Sequence, residues 1–187
     1  MARLPTLVSI IADRDNREHT TIDQMARFIR EAGFISTTKR GKGASEMTAK
    51  DAANLLIGVT ATESPKNAAI EVARKSTFRR HTWPRYPEIP APFARIEAAE
   101  TFAEAMEALI ADTNAIEAWF GEYIDVAFPD FDEQKKSYAK EDFLFAGGVD
   151  IVFRRASTEI IVFKNSQNGR LVEYDFKYVT NSDLFMK

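Results

Sequence analysis

Four prolines in nine residues, Pro84, Pro87, Pro90 and Pro92 in the stretch "TWPRYPEIPAPF", limit this chain more than any other feature. Each fixes its own φ, removes a backbone donor and pushes the preceding residue toward extended geometry, so no regular helix can run through them. The 187 residues are thereby divided into two parts. We read 82–95 as a proline-rich linker between a basic helical domain (1–81) and an acidic α+β domain (96–187). Trp83, Tyr86, Ile89 and Phe93 equally suit a strap across one compact domain, because all four are good packing residues.

Upstream of the prolines, apolar residues recur at helical spacing. Leu4, Leu7, Val8 and Ile11 give a short first helix. Thr21 and Gln24 have capping-box spacing, followed by the stripe Ile22, Met25, Ala26, Ile29 and Ala32, and Gly33 is a natural stop. Thr48 and Asp51 open another helix, with Ala52, Leu55, Leu56 and Val59 as its buried face. Ser64 as N-cap and Pro65 at the first helical position announce the next, which buries Ala68, Ala69 and Val72 and leaves Lys66, Arg74 and Lys75 facing solvent. A helix-turn-helix joins its helices by about three or four residues. Residues 34–47 are far too many and the tight connection "TATESP" fits better, so 48–60 would support and 65–77 would read.

Downstream, residues 96–123 form the most periodic segment. Phe102, Met106, Leu109, Thr113, Ile116 and Phe120 share one stripe and Glu97, Glu100, Glu104 and Glu107 another, which predicts one long amphipathic helix. After Gly147-Gly148 the period changes to two. Val149, Ile151 and Phe153 alternate with polar residues, "TEIIVFK" is β-rich, and Val172, Tyr174, Phe176 and Tyr178 alternate again, with turns at "RAS" and "NSQNG". The expected fold class is α+β: an N-terminal helix-turn-helix-like bundle, a long amphipathic helix, and a C-terminal three-stranded antiparallel meander that the helix covers.

Several function classes find no support. Cysteine is absent, which excludes disulfides, thiol nucleophiles and Cys-ligated metals. His19 and His81 lack metal-ligand spacing, no serine sits in a nucleophile elbow, and "KRGKGAS" lacks the spacing of a phosphate loop. Asp125, Asp130, Asp132, Glu133, Glu141 and Asp142 are numerous, but they lack the glycine and spacing of a calcium loop and read as solvated. We therefore expect no catalytic residue, no metal and no cofactor. The apolar run "LPTLVSIIA" after Arg3 is short, is followed by "DRDNREHTT", and carries no small-residue cleavage pattern, so a cytoplasmic protein without a membrane span is expected.

Charge is distributed unevenly. Residues 1–95 hold 16 Lys+Arg against 10 Asp+Glu, a balance of +6, and residues 96–187 hold 9 against 18, a balance of −9. Two basic elements stand out in the first half. "STTKRGKGASEMT" offers Lys39, Arg40 and Lys42 beside glycines that allow close backbone approach to a phosphate. "RKSTFRRHTWPRY" interleaves Arg74, Lys75, Arg79 and Arg80 with aromatic rings. Together with Lys66 these are the candidate nucleic-acid contacts. The plainer reading makes the glycine loop a connector and the aromatics core residues of a domain junction.

The run "REAGFISTTKRGKGASEMTAKDAANLLIG" resembles a pattern of bacterial prophage-type proteins: an R-x-A-G helix end, a Gly/basic loop and a T-x-x-D-A-A-N-L-L helix. The matching residues are Arg30, Ala32, Gly33, Arg40, Gly41, Thr48, Asp51, Ala52, Ala53, Asn54, Leu55 and Leu56. The resemblance covers about residues 27–58 and implies DNA binding and mobile-element origin, with no catalytic residue. The expected function is a non-enzymatic DNA-binding protein, a transcriptional regulator of phage or mobile-element origin, whose residues 96–187 form a homodimer or meet a protein partner. The alternative is a phage-type interaction module, an assembly component or an inhibitor of a host protein, acting through residues 96–187.

Overall fold

The computed structural model describes residues 3–36, 46–81, 88–141, 147–166 and 169–180. Among these the fold is α+β, with eight α-helices and a four-stranded antiparallel sheet. The packing divides into two compact units. One comprises 1–78 with 100–111, the other 79–99 with 112–187.

The first unit is helical: α1 (Leu4–Asp15), α2 (His19–Glu31), α3 (Ala49–Ala61), α4 (Pro65–Lys75) and α6 (Phe102–Ala111). α2 packs on α1, α3 and α4, while α3 also packs on α4 and α6. Ile22, Met25, Ile29, Leu55, Ile57, Val72 and Phe102 supply its core. One helix start differs from the sequence reading, and one cap lacks its side-chain bond. α2 begins at His19, not after Thr21, and its N-cap Glu18 makes no side-chain cap bond. Ser64 holds the N-cap position of α4, but its hydroxyl makes no cap bond either, and Pro65 sets the entry to the helix. The Thr48–Asp51 capping box of α3 is present in full.

The expected long helix is interrupted twice. Its residues fall into α5 (Ala94–Ala98), α6 and α7 (Thr113–Ala127). A new capping arrangement restarts the chain after α5: Thr101 Oγ1 accepts the Glu104 amide at 3.3 Å, and Glu104 Oε2 accepts the amides of Glu100 and Thr101. The apolar stripe is thus shared, with Phe102 and Met106 buried in the first unit and Ile116 and Phe120 in the second.

The second unit holds the sheet, in the order β1 (Arg79–Arg80), β4 (Gly169–Val179), β3 (Ser157–Ser166), β2 (Gly147–Phe153). β2–β3–β4 is the expected meander, and β1 adds a short fourth strand that pairs Arg79 with Val179 and Arg80 with Tyr178. Ile160, Val162, Phe176 and Tyr178 fill the inner face. The cover comes from α5, α7 and the 3-10 turn Ala91–Phe93 before α5. Phe93, from the end of the proline stretch, is fully buried with its ring centroid 5.0 Å from Trp119 and 6.0 Å from Tyr174. Lys164 of β3 lies over the rings of Trp119 and Tyr123 at 4.1 and 4.5 Å, which ties α7 to the sheet. Gly147 permits that approach, since a Cβ there would meet the Phe163 carbonyl and, at 2.7 Å, the Phe120 ring. α8 (Glu133–Glu141) follows α7.

Candidate nucleic-acid interface

The connection between α3 and α4 is three residues long, Thr62–Glu63–Ser64. It is held from outside. Arg17, in the turn between α1 and α2, donates to the carbonyl oxygens of Val59 at 2.9 Å and Thr62 at 3.2 Å while paired with Asp15. A guanidinium on the free carbonyls of a helix C-terminus satisfies acceptors that have no partner within the helix, and it complements the helix dipole. The hydrogen bond from Arg17 to Asp15 outweighs the opposing effect of burial and raises the guanidinium pKa, so the clasp stays charged.

Gly58 sets how closely the three helices meet. A Cβ at this position would lie 2.5 Å from Ile29 Cδ1 of α2, 2.9 Å from Val72 Cγ2 of α4 and 3.2 Å from the Ala68 carbonyl. Only glycine lets α3 sit this near both neighbours without displacing them.

α4 buries one side and exposes another. Ala68, Val72 and Lys75 face inward, whereas Lys66, Asn67, Ile70, Ala73 and Arg74 are exposed, Ile70 to 61%. Arg74 pairs with Glu71 at 2.5 Å, an exposed i,i+3 pair of the kind that contributes about 0–1 kcal/mol.

The chain on either side of 37–45 is held at a defined place. Asp51, at the start of α3, accepts the Ser36 amide and hydroxyl at 2.8 Å each, the Thr48 amide at 3.0 Å and the Thr48 hydroxyl at 2.9 Å. Asn54 adds a bond to the Phe34 carbonyl at 2.7 Å. Residues on both sides of the segment 37–45 are therefore fastened to one carboxylate. Burial alone would raise the Asp51 pKa, but the hydrogen bonds from Ser36 and Thr48 outweigh it and hold the value below the ordinary one.

The sequence-predicted contacts take different positions. Lys39, Arg40 and Lys42 lie outside the described residues. Lys66 and Arg74 are exposed on α4, and Arg79 is exposed on β1. Lys75 is not solvent-facing: it is 2% exposed, with Nζ 4.7 Å from the Phe78 ring centroid. Burial, then the neighbouring Arg74, push its pKa down to about 8. An ammonium held inside the helical unit is unsuited to gripping an external phosphate. Arg80 is committed within the second unit. It donates to the Ile96 and Glu97 carbonyls at 3.0 Å each, pairs with the Glu97 carboxylate, and lies 5.0 Å from the Phe176 ring and 6.0 Å from Tyr178. Sequence reading missed Arg17, Gly58, Asn67 and Ile70. The last two were legible as the face of α4 opposite Ala68 and Val72.

Among the described residues, no three His, Asp or Glu side chains gather as a metal-binding group, and no helix is long and apolar enough to cross a membrane. Comparison with protein-family models, curated proteins and solved structures finds no match to this chain.

Proposed function

We propose that this chain is a non-enzymatic DNA-binding protein, a transcriptional regulator of phage or mobile-element origin, which docks on duplex DNA through α3, α4 and the basic loop. The observation that carries this reading is the three-residue connection between α3 and α4, both packed on α2, with Lys66, Asn67, Ile70 and Arg74 exposed on the second helix. A connection of that length, and a third helix packed on both of the helices it joins, are what a helix-turn-helix needs. Lys39, Arg40 and Lys42 act as an arm on the phosphate backbone, a role supported by the bonds of Ser36 and Thr48, on either side of them in the chain, to Asp51 at the start of α3.

Fluorescence anisotropy of a labelled duplex with the full chain, at several salt concentrations, tests this. Affinity falls steeply with salt, and Lys39→Ala, Arg40→Ala and Lys42→Ala each lower the slope of log K against log salt by about 1. Absence of binding at low salt overturns the reading. The second reading, an interaction module acting through residues 96–187, is favoured by the exposed Val126 and Tyr138, the latter beside a groove of about 410 Å³ lined also by Phe131, Lys135 and Ala139. It predicts a stable oligomer or partner complex lost on Val126→Asp with Tyr138→Ala, measured by light scattering and pull-down.

A further inference from the structure

We infer that α4 does more than hold the phosphate backbone: its outward face reads an adenine through Asn67 and a neighbouring thymine methyl through Ile70. This rests on the proposed DNA-binding reading. Backbone contact asks only for cations, and α4 exposes other chemistry. Lys66, Asn67, Ile70, Ala73 and Arg74 are exposed, and at 100° per residue they fall within an arc of about 120°. The buried Ala68, Val72 and Lys75 lie on the other side of the same helix.

The order along the helix matters. From Lys66 to Arg74 the face is about 12 Å long at 1.5 Å per residue. The two cations stand at its ends, and the uncharged residues lie between them. Asn67 and Ile70 are about 4.5 Å apart along the axis, comparable to the step of about 3.4 Å between base pairs. A carboxamide offers the donor and acceptor that match adenine N6 and N7, and an aliphatic side chain matches the thymine methyl. Ile70, 61% exposed in the free chain, gains an apolar partner there, and Ala73 keeps the helix slim enough to enter.

The test uses the full chain. Bound duplexes are selected from a random library, and affinities are measured for the selected and a scrambled duplex. Asn67→Ala and Ile70→Ala are compared with duplexes carrying 7-deazaadenine or deoxyuridine, which remove the adenine N7 and the thymine methyl. We expect an A·T-containing selected site. Asn67→Ala should lower discrimination by about tenfold to a hundredfold. The 7-deazaadenine change should cost the original chain affinity but cost Asn67→Ala little, and deoxyuridine should pair with Ile70→Ala in the same non-additive way. Salt slopes should stay unchanged in both variants, whose substituted side chains are on the surface. Binding without sequence preference, or additive losses, overturns base reading and leaves DNA binding standing. Failure of the full chain to bind any duplex at low salt overturns both.

Discussion

The carboxylate of Asp51 accepts both the amide and the hydroxyl of Ser36, fifteen residues earlier, at 2.8 Å each. Because the same carboxylate also caps α3 through Thr48, one side chain fixes the helix start and holds Ser36 beside it.

Asp51→Asn therefore removes more than a helix cap. Its amide presents a donor where the carboxylate accepted, and we expect a loss of about 2–3 kcal/mol at neutral pH in denaturant unfolding. The folded-state pKa of Asp51 lies below its unfolded value. Its contribution is thus fully present above the unfolded pKa of about 4 and disappears as pH falls through the folded value. Unfolding followed from pH 7 to pH 2 should show a shallower acid decline in Asp51→Asn than in the original chain.

Lys75 has the opposite sign. Its folded pKa, about 8, is below the ordinary 10.5, so the unfolded chain binds the proton more tightly between those values. Stability of the helical unit should rise with pH across that window. Lys75→Met, close in volume and without a titrating group, should flatten the rise, measured by thermal unfolding between pH 7 and pH 10.5.

Gly58→Ala sets two effects against each other. Alanine gains about 1 kcal/mol of helix propensity, but its Cβ would press on Ile29 Cδ1 and Val72 Cγ2, and overpacking costs about 1–3 kcal/mol. A net loss of about 1–2 kcal/mol is expected because Val72 is rigid and buried. Ile29→Val in the Gly58→Ala background removes the nearer clash and should recover part of the loss. An additive double mutant would show that the contact with Ile29 is not the cause.

For Arg80, position and charge make different predictions. Its two carbonyl acceptors and the Glu97 carboxylate need the planar fork of a guanidinium, so Arg80→Lys should cost nearly as much as Arg80→Ala, about 2–3 kcal/mol. Neither should change the salt slope of DNA binding. A slope that falls by about 1 in Arg80→Ala with unfolding unaltered would instead make Arg80 a phosphate contact.

The sequence by itself determined what local chemistry controls. The period of two across Val149–Phe153 and Val172–Tyr178 marked the meander, because alternation is imposed by the pleat wherever one face is buried. The Thr48–Asp51 box and Pro65 marked the starts of α3 and α4, since cap partners lie within one turn of each other. Tertiary structure decided the rest. The stripe from Phe102 to Phe120 reads as one helix, yet Thr101–Glu104 and two separate cores divide it, and periodicity does not record which core a residue enters. Lys75 and Arg80 read as surface cations because charge favours water, and it is their partners from distant positions, or their neighbours in the packed unit, that take them inside. Ser36 and Asp51, like Gly58 and Ile29, meet only once the helices have packed, so spacing along the chain carries no sign of either contact.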